Sequence, residues 1–525
     1  MSRKNVSGSR TSVLQIPAFD GMNTALAFSD IKDTESRDML NGLPGSIGSL
    51  KKRPGTIPLS ETALAKPVRQ LFPYSVSGMI LGVSGDTLYE FSRILGNWAP
   101  KTMTNKINEY NRVDMAEFKN ESGQDVVLIT DGGALKYYNG SEVKNVAPAA
   151  NDESPLPAND LTNINSKNLV GCLVHNTRLV VWSLNDTLWH SKIGYYDYFP
   201  QTDYQRFVRE GDAIQTCITF GGALLVFMRN HVAVLFGHDR DDWSQDFLDT
   251  GNGCINPNTV QIVTYPDGRQ EVFYLSDDGI YSIYTINTLS LDNSIRYSSK
   301  SVTKMKVDWE RLGVARTTLA QTATAYFHNG QYWMVWKEDG KYRGLVFDTS
   351  AEAWYPIDNV TANAFYADEW GFYFAGDDGH FKTFDASLYS DYQDKAKTLK
   401  TPINLYWYSK ITTPRLTGHD HLWDILIIQA KQQKAKSTLD VEVNTYKDNL
   451  VIPSAVKTAA LVWGVTEWGE SEWANEKLTD LINNPQRLRT FLKGQYVQIK
   501  LSNNRDEPME IHGIRYEVRV MDTYY

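Results

Sequence analysis

A hairpin pattern repeats seven times between Val68 and Asp391, and it restricts the possible folds more than any other feature of the chain. In each copy a short apolar strand meets a brief polar turn. A second, alternating strand follows, usually rich in Tyr, Phe or Trp. The copies are Met79–Ser92, Val126–Tyr138, Leu179–Ser191, Ala223–Gly237, Val272–Tyr284, Tyr332–Asp348 and Gly371–Asp385. Their turn residues, Asp86, Asp131, Asp186, Asn230, Asp278, Asp339 and Asp378, stand 39 to 61 positions apart by subtraction of residue numbers. Asp-Gly and Asn turns accept the positive φ that two-residue hairpins need.

A single small sheet cannot shield both of its faces. A ring of such sheets can, and it leaves few open edges. A period of ~40–60 residues is that of propeller blades with four strands each. The expected fold class is therefore all-β: a β-propeller of about seven blades, with six as the alternative count, an irregular N-terminal arm and a C-terminal antiparallel β-sandwich. An irregular array of sandwiches is the competing arrangement. The copies agree in pattern and not in residue identity, and no recurring Trp-Asp signature is present. The expected boundaries are 1–66 for the arm, 67–395 for the propeller and 400–525 for the sandwich.

Within the arm, Thr11–Pro17 reads as a strand and Asp33–Leu40 as a turn or two of helix. Tyr297–Arg311 reads as holding a short helix. Asp391–Thr401 reads as a polar linker. Beyond it, strands are expected at Asn404–Ser409, Leu422–Ala430, Thr438–Tyr446, Tyr496–Leu501 and Met509–Val520. The alternation of Leu439, Val441 and Val443 with polar residues marks one buried and one wet face.

The net charge of −9 argues against a protein that coats nucleic acid. It is compatible with a passage through which nucleic acid slides, because an acidic wall repels phosphates. The 29 Tyr and 14 Trp suit half-buried strands and large contacts. Cys172, Cys217 and Cys254 lack paired spacing and read as buried free thiols in a reducing cytoplasm. The polar opening MSRKNVSGSR has no secretion-signal core. The longest apolar run, Ala223–Gly237, is broken by Arg229, Asn230 and His231, so no membrane insertion is expected.

No nucleophile-elbow, Walker or dinucleotide-binding glycine pattern occurs. His419-Asp420-His421 could offer two metal ligands, but a polar loop leading into a strand explains it better. The pairs Asp241-Asp242, Asp277-Asp278 and Asp377-Asp378 could supply glycosidase carboxylates, yet two of them sit at the repeating turns. No catalytic residue, metal or cofactor is expected, and the chain does not read as an enzyme. Trp463, Trp468 and Trp473 are spaced by five and interleaved with Glu467, Glu470, Glu472 and Glu476. Local packing, a subunit contact or stacking on sugars are the three uses of such a segment.

Three short elements near the N-terminus carry a resemblance. They are Gly21, Asn23 and Thr24; then Asn41; then Gly48, Leu50, Arg53, Pro54 and Gly55. This order resembles the opening of tail hub or nozzle proteins of short-tailed bacteriophages, and of related neck and tail stabilisation proteins. The Gly494–Gln498 and Glu510–Ile514 stretches resemble the closing strands of the same proteins. The resemblance implies a structural virion protein that forms a ring, hexameric in the nozzle case, around the DNA channel. It implies a portal or adaptor and other tail and fibre proteins as partners, with transient DNA contact. It also implies a place in the virion tail after assembly in the bacterial host cytoplasm. The alternative is a carbohydrate- or receptor-binding propeller at the tail tip.

Overall fold

A computed structural model describes residues 11–150, 157–209, 211–248, 251–287, 295–413, 420–431, 433, 436–457 and 483–520. They form an all-β protein of many small sheets, with only short helices between strands. All seven expected hairpins form, each as the second and third strands of a four-strand antiparallel run; in the second sheet Thr102–Met103 adds a fifth strand in parallel. In chain order these sheets span residues 68–100, 102–145, 169–206, 214–248, 261–301, 324–358 and 364–385. The seventh takes its fourth strand from the arm: Gly55–Pro58 pairs antiparallel with Phe381–Asp385.

The two faces of each central strand bury against different neighbours, as a two-residue period requires. On Asp125–Thr130, Val126 and Leu128 pack on Leu179 and Val181 of the third sheet. Val127 and Ile129 pack on Leu81 and Val83 of the first. Likewise Leu224 and Val226 face the third sheet while Leu225 and Phe227 face the fifth. Tyr373 and Phe381 of the seventh sheet pack on Ile80 and Phe91 of the first, with the Phe91 and Phe381 rings 4.6 Å apart. Each such side chain contributes about 1.5–3 kcal/mol when fully buried. The leading strands of all seven sheets, through residues such as Leu71, Met115, Cys172, Cys217, Gln261, Ala325 and Phe365, line one cavity of about 310 Å³.

Two larger sheets, with strands of up to 12 residues, complete the described part of the molecule. One runs in the order Gly42–Pro44, Leu50–Lys52, Glu510–Val520, His421–Lys431, Asn483–Gly494, and Thr11–Ile16 also pairs with Glu510–Val520. The other runs Met39–Leu40, Leu405–Tyr408, Val497–Asn503, Thr438–Thr445, Asn449–Lys457. Trp423, Leu426 and Tyr516 of one share a core with Trp407, Val441 and Ile499 of the other, and with Trp354 and Tyr355 of the sixth small sheet.

Two local expectations are corrected. Asp33–Leu40 holds no helix: Glu35 is buried and hydrogen-bonded to Asn23 and the Lys32 N–H, which bends the chain before Met39–Leu40 pairs with Leu405–Tyr408. Asp391–Thr401 is more than a linker, because Ser390–Tyr392 and Lys400–Pro402 extend the seventh sheet. The short helix expected in Tyr297–Arg311 forms as Trp309–Leu312, after the strand Ile295–Ser301 and before a second helix, Arg316–Thr322.

Candidate functional site

The arm residues singled out in the sequence converge on a clasp between the small sheets and the two larger ones. The first element fastens the arm to the sixth sheet and to the segment that leads into it from the fifth. Gly21 sits at φ +76, and a Cβ there would lie 2.7 Å from the Trp354 carbonyl oxygen, so glycine alone fits. The Met22 N–H donates to that same oxygen at 2.7 Å. The Asn23 side-chain amide donates to Glu35 at 2.9 Å. The Thr24 N–H donates to the Lys306 carbonyl at 2.8 Å, and the Thr24 hydroxyl accepts from the Asp308 N–H at 2.7 Å. Burial would raise the Glu35 pKa, but the Lys306 ammonium, the Lys32 N–H and the Asn23 amide outweigh it and hold the carboxyl below its usual range.

Asn41 and Arg53 form the centre, and neither is exposed to solvent. Asn41 adopts φ +56, a left-handed conformation that Asn tolerates better than most residues. Its amide nitrogen donates to Asp358 Oδ1 at 2.7 Å and to the Asn404 carbonyl at 2.9 Å. Its amide oxygen accepts from Arg53 Nε at 2.9 Å and from the Asp358 N–H at 3.1 Å. The Arg53 guanidinium clamps Asp391 with two bonds of 2.9 and 2.6 Å. It also donates to the Pro54 carbonyl at 3.1 Å and the Asp358 carbonyl at 2.9 Å. These bonds engage all five N–H groups of the side chain, a set that only a planar fork supplies. Thr56 adds a hydroxyl bond to Asp391 at 3.0 Å.

The flanking motif residues serve the same join. Gly48, at φ +72, closes a 3-10 turn and its carbonyl accepts from the Phe19 N–H at 2.9 Å. Leu50 is fully buried in the shared core. The Gly55 N–H donates to the Leu388 carbonyl at 2.8 Å. Sealed from water, Asn41 and Arg53 have no access to a substrate. They can hold the arm, the seventh sheet and the Leu405–Tyr408 strand in one geometry.

Sequence reasoning missed Lys52 and Asp391. Lys52 shares the inward face of its strand with Leu50 while Lys51 points out, and that alternation was the available signal. Its ammonium donates to Asn503 Oδ1 at 2.7 Å and the Arg505 carbonyl at 2.6 Å. Burial, assisted by the Arg53 charge and opposed by Glu507, Asp506 and Asp391, pushes its pKa down to about 7. Between pH 7 and the unfolded value of 10.5 the unfolded chain binds the extra proton, so stability rises with pH across that window. The slope reaches about 1.4 kcal/mol per pH unit at most. Urea unfolding at pH 7 and pH 9 should show this rise in the natural chain, and Lys52→Met should lack it. Parallel curves would refute the assignment.

The other candidates have ordinary partners. Asp242 accepts the His238 and Asp239 N–H groups in a turn, and Asp277 takes two bonds of 3.0 Å from Arg229. Asp278 binds the Tyr281 hydroxyl at 2.8 Å, Asp377 binds Asn363 at 2.9 Å, and Asp378 pairs with Lys382. Asp420 pairs with Lys447 at 2.6 Å, His421 is buried at the start of its strand, and His419 lies outside the described residues. Among the described residues no three His, Cys, Asp or Glu side chains gather as a metal site. The three thiols are free and buried. Trp463, Trp468 and Trp473 lie outside the described residues.

The chain matches no family model and no curated protein. Several solved structures are similar at low identity. The extracellular domain of BT4673 from B. thetaiotaomicron, described as a one-component system, is 12% identical over 91% of this chain, with a TM-score of 0.40. The chain spans 62% of that protein's length. The extracellular domain of BT3049 from the same organism, described as a hybrid two-component system, is 8% identical, with a TM-score of 0.38, over 76% of this chain and 47% of its own. The computationally designed protein Ika8 is 11% identical, with a TM-score of 0.35, over 62% of this chain and 99% of its own.

Proposed function

We propose that this chain is a structural virion protein of a tailed bacteriophage, forming a ring in the tail hub, nozzle or neck around the DNA channel. In this reading the seven small sheets are the blades of a propeller, and the two larger sheets are a sandwich fixed beside it. The observation that carries it is the clasp. The residues on which the resemblance rests, from Gly21 to Gly55, are the ones that tie the two halves together at Asn41 and Arg53. A ring that guides a genome under pressure needs subunits that do not flex between halves, and a buried five-donor arginine supplies that stiffness. The net charge of −9 suits a lumen that phosphates pass without adhering.

The test is the assembly state. Native mass measurement and electron microscopy of the purified full chain should show a closed ring, six subunits being the expected number. A chain that stays monomeric at micromolar concentration and is missing from particles would overturn the reading.

A further inference from the structure

We propose that a basic, aromatic-lined pocket between the arm and the sixth sheet receives the acidic, Trp-containing segment 458–482 of a neighbouring copy of this chain. This rests on the ring reading above. The pocket encloses about 590 Å³ beside Met39–Leu40 and Leu405–Tyr408. Arg37, Arg311, Lys341 and Arg343 line it, against two carboxylates, Asp38 and Asp358. Asn41 already engages one oxygen of Asp358. Phe28 and Trp336 give it aromatic walls, and the Arg37 guanidinium lies 4.8 Å from the Phe28 ring centre.

Two donors in this pocket are unused. Arg37 Nε and the indole N–H of Trp336 are buried and have no hydrogen-bond partner among the described residues, and Trp336 is only 2% exposed. Buried donors without acceptors are costly, and an occupant that let these two side chains turn toward its carboxylates would relieve that cost. Cations around aromatic walls favour an occupant that brings carboxylates and flat rings together.

The chain itself carries such an occupant. From Trp463 to Glu476 it has three Trp and four Glu, with no Lys or Arg. The ring reading assigns the segment to a neighbour's copy, and placement agrees with it. The segment departs from Asn449–Lys457, at one edge of its sheet, whereas the pocket adjoins Met39–Leu40 at the opposite edge. Five strands at ~4.8 Å spacing put these edges roughly 19 Å apart. The segment re-enters at Asn483–Gly494, again the edge opposite the arm strands of its sheet. A donor on one side and an acceptor on the other make a head-to-tail contact, the kind that closes into a ring.

The experiment mixes ¹⁴N and ¹⁵N full-length protein before assembly and joins carboxylates to amines with a carbodiimide. Lys341 should link to Glu467, Glu470 or Glu472 in mixed-isotope pairs. Lys341→Glu with Arg343→Glu, both at exposed positions, should lower the ring fraction at least tenfold with the thermal transition of the monomer retained. Adding Glu467→Lys and Glu470→Lys should restore it. A ring indifferent to the first pair of substitutions, or links confined to single-isotope pairs, would overturn the pocket assignment and leave the ring reading intact. A natural chain that forms no ring would overturn both.

Discussion

Arg53→Ala should lower the unfolding free energy by about 3–5 kcal/mol, the cost of stranding a buried charge when its partner is removed. The substitution leaves the Asp391 carboxylate without its two guanidinium bonds and the Asn41 amide oxygen without one of its two donors. Urea unfolding followed by Trp fluorescence measures the loss. Arg53→Lys should recover little of it, because an ammonium cannot reach Asn41, Pro54, Asp358 and Asp391 together. Pairing Arg53→Ala with Asp391→Ala should cost less than the two single changes added, since both act on one bond network. A loss below about 1 kcal/mol for Arg53→Ala would place it among exposed pairs and refute the clasp.

The seven hairpins were legible because each central strand buries both faces, so its apolar run and its Asp- or Asn-type turn sit side by side in the sequence. Gly55–Pro58 was not legible as a strand of the seventh sheet. Its partner, Phe381–Asp385, lies more than three hundred residues away, and no local period reports such a pairing. The same holds for Thr11–Ile16, which reads as a strand but gives no hint that Glu510–Val520 is its mate. Asn449–Lys457 went unread because Pro453 interrupts its apolar run, and Asn483–Gly494 because Gln486 and Thr490 share its inner face with Leu488 and Leu492. At the clasp, Asn41 and Arg53 could be picked out by resemblance but not by chemistry, since an isolated Arg in a Lys-Lys-Arg run looks like a solvated charge. Asp391 looked like the start of a linker for the same reason. Burial of a charge is a tertiary fact, and it becomes visible only when both partners are placed.

Gly55→Ala should be nearly as damaging as loss of Arg53, although it adds one carbon and removes no bond. An ideal Cβ at Gly55 would sit 2.3 Å from the Ser390 carbonyl oxygen and 2.9 Å from the Leu388 Cβ. Two of its three nearest atoms belong to backbone, so no side-chain rotation relieves the clash. The Ser390–Tyr392 strand must retreat from Gly55–Pro58, with which it pairs in parallel at Asp391 and Thr56. Retreat carries Asp391 away from Arg53 and from the Thr56 hydroxyl, adding loss of the clamp to the steric cost. Overpacking at such a site costs about 3 kcal/mol at the upper end of its usual range. Because the clash and the clamp act on one strand, Gly55→Ala combined with Arg53→Ala should fall well short of additivity. Full additivity in urea unfolding would mean that the strand moves without disturbing the arginine. The arm would then be held by its sheet pairing alone.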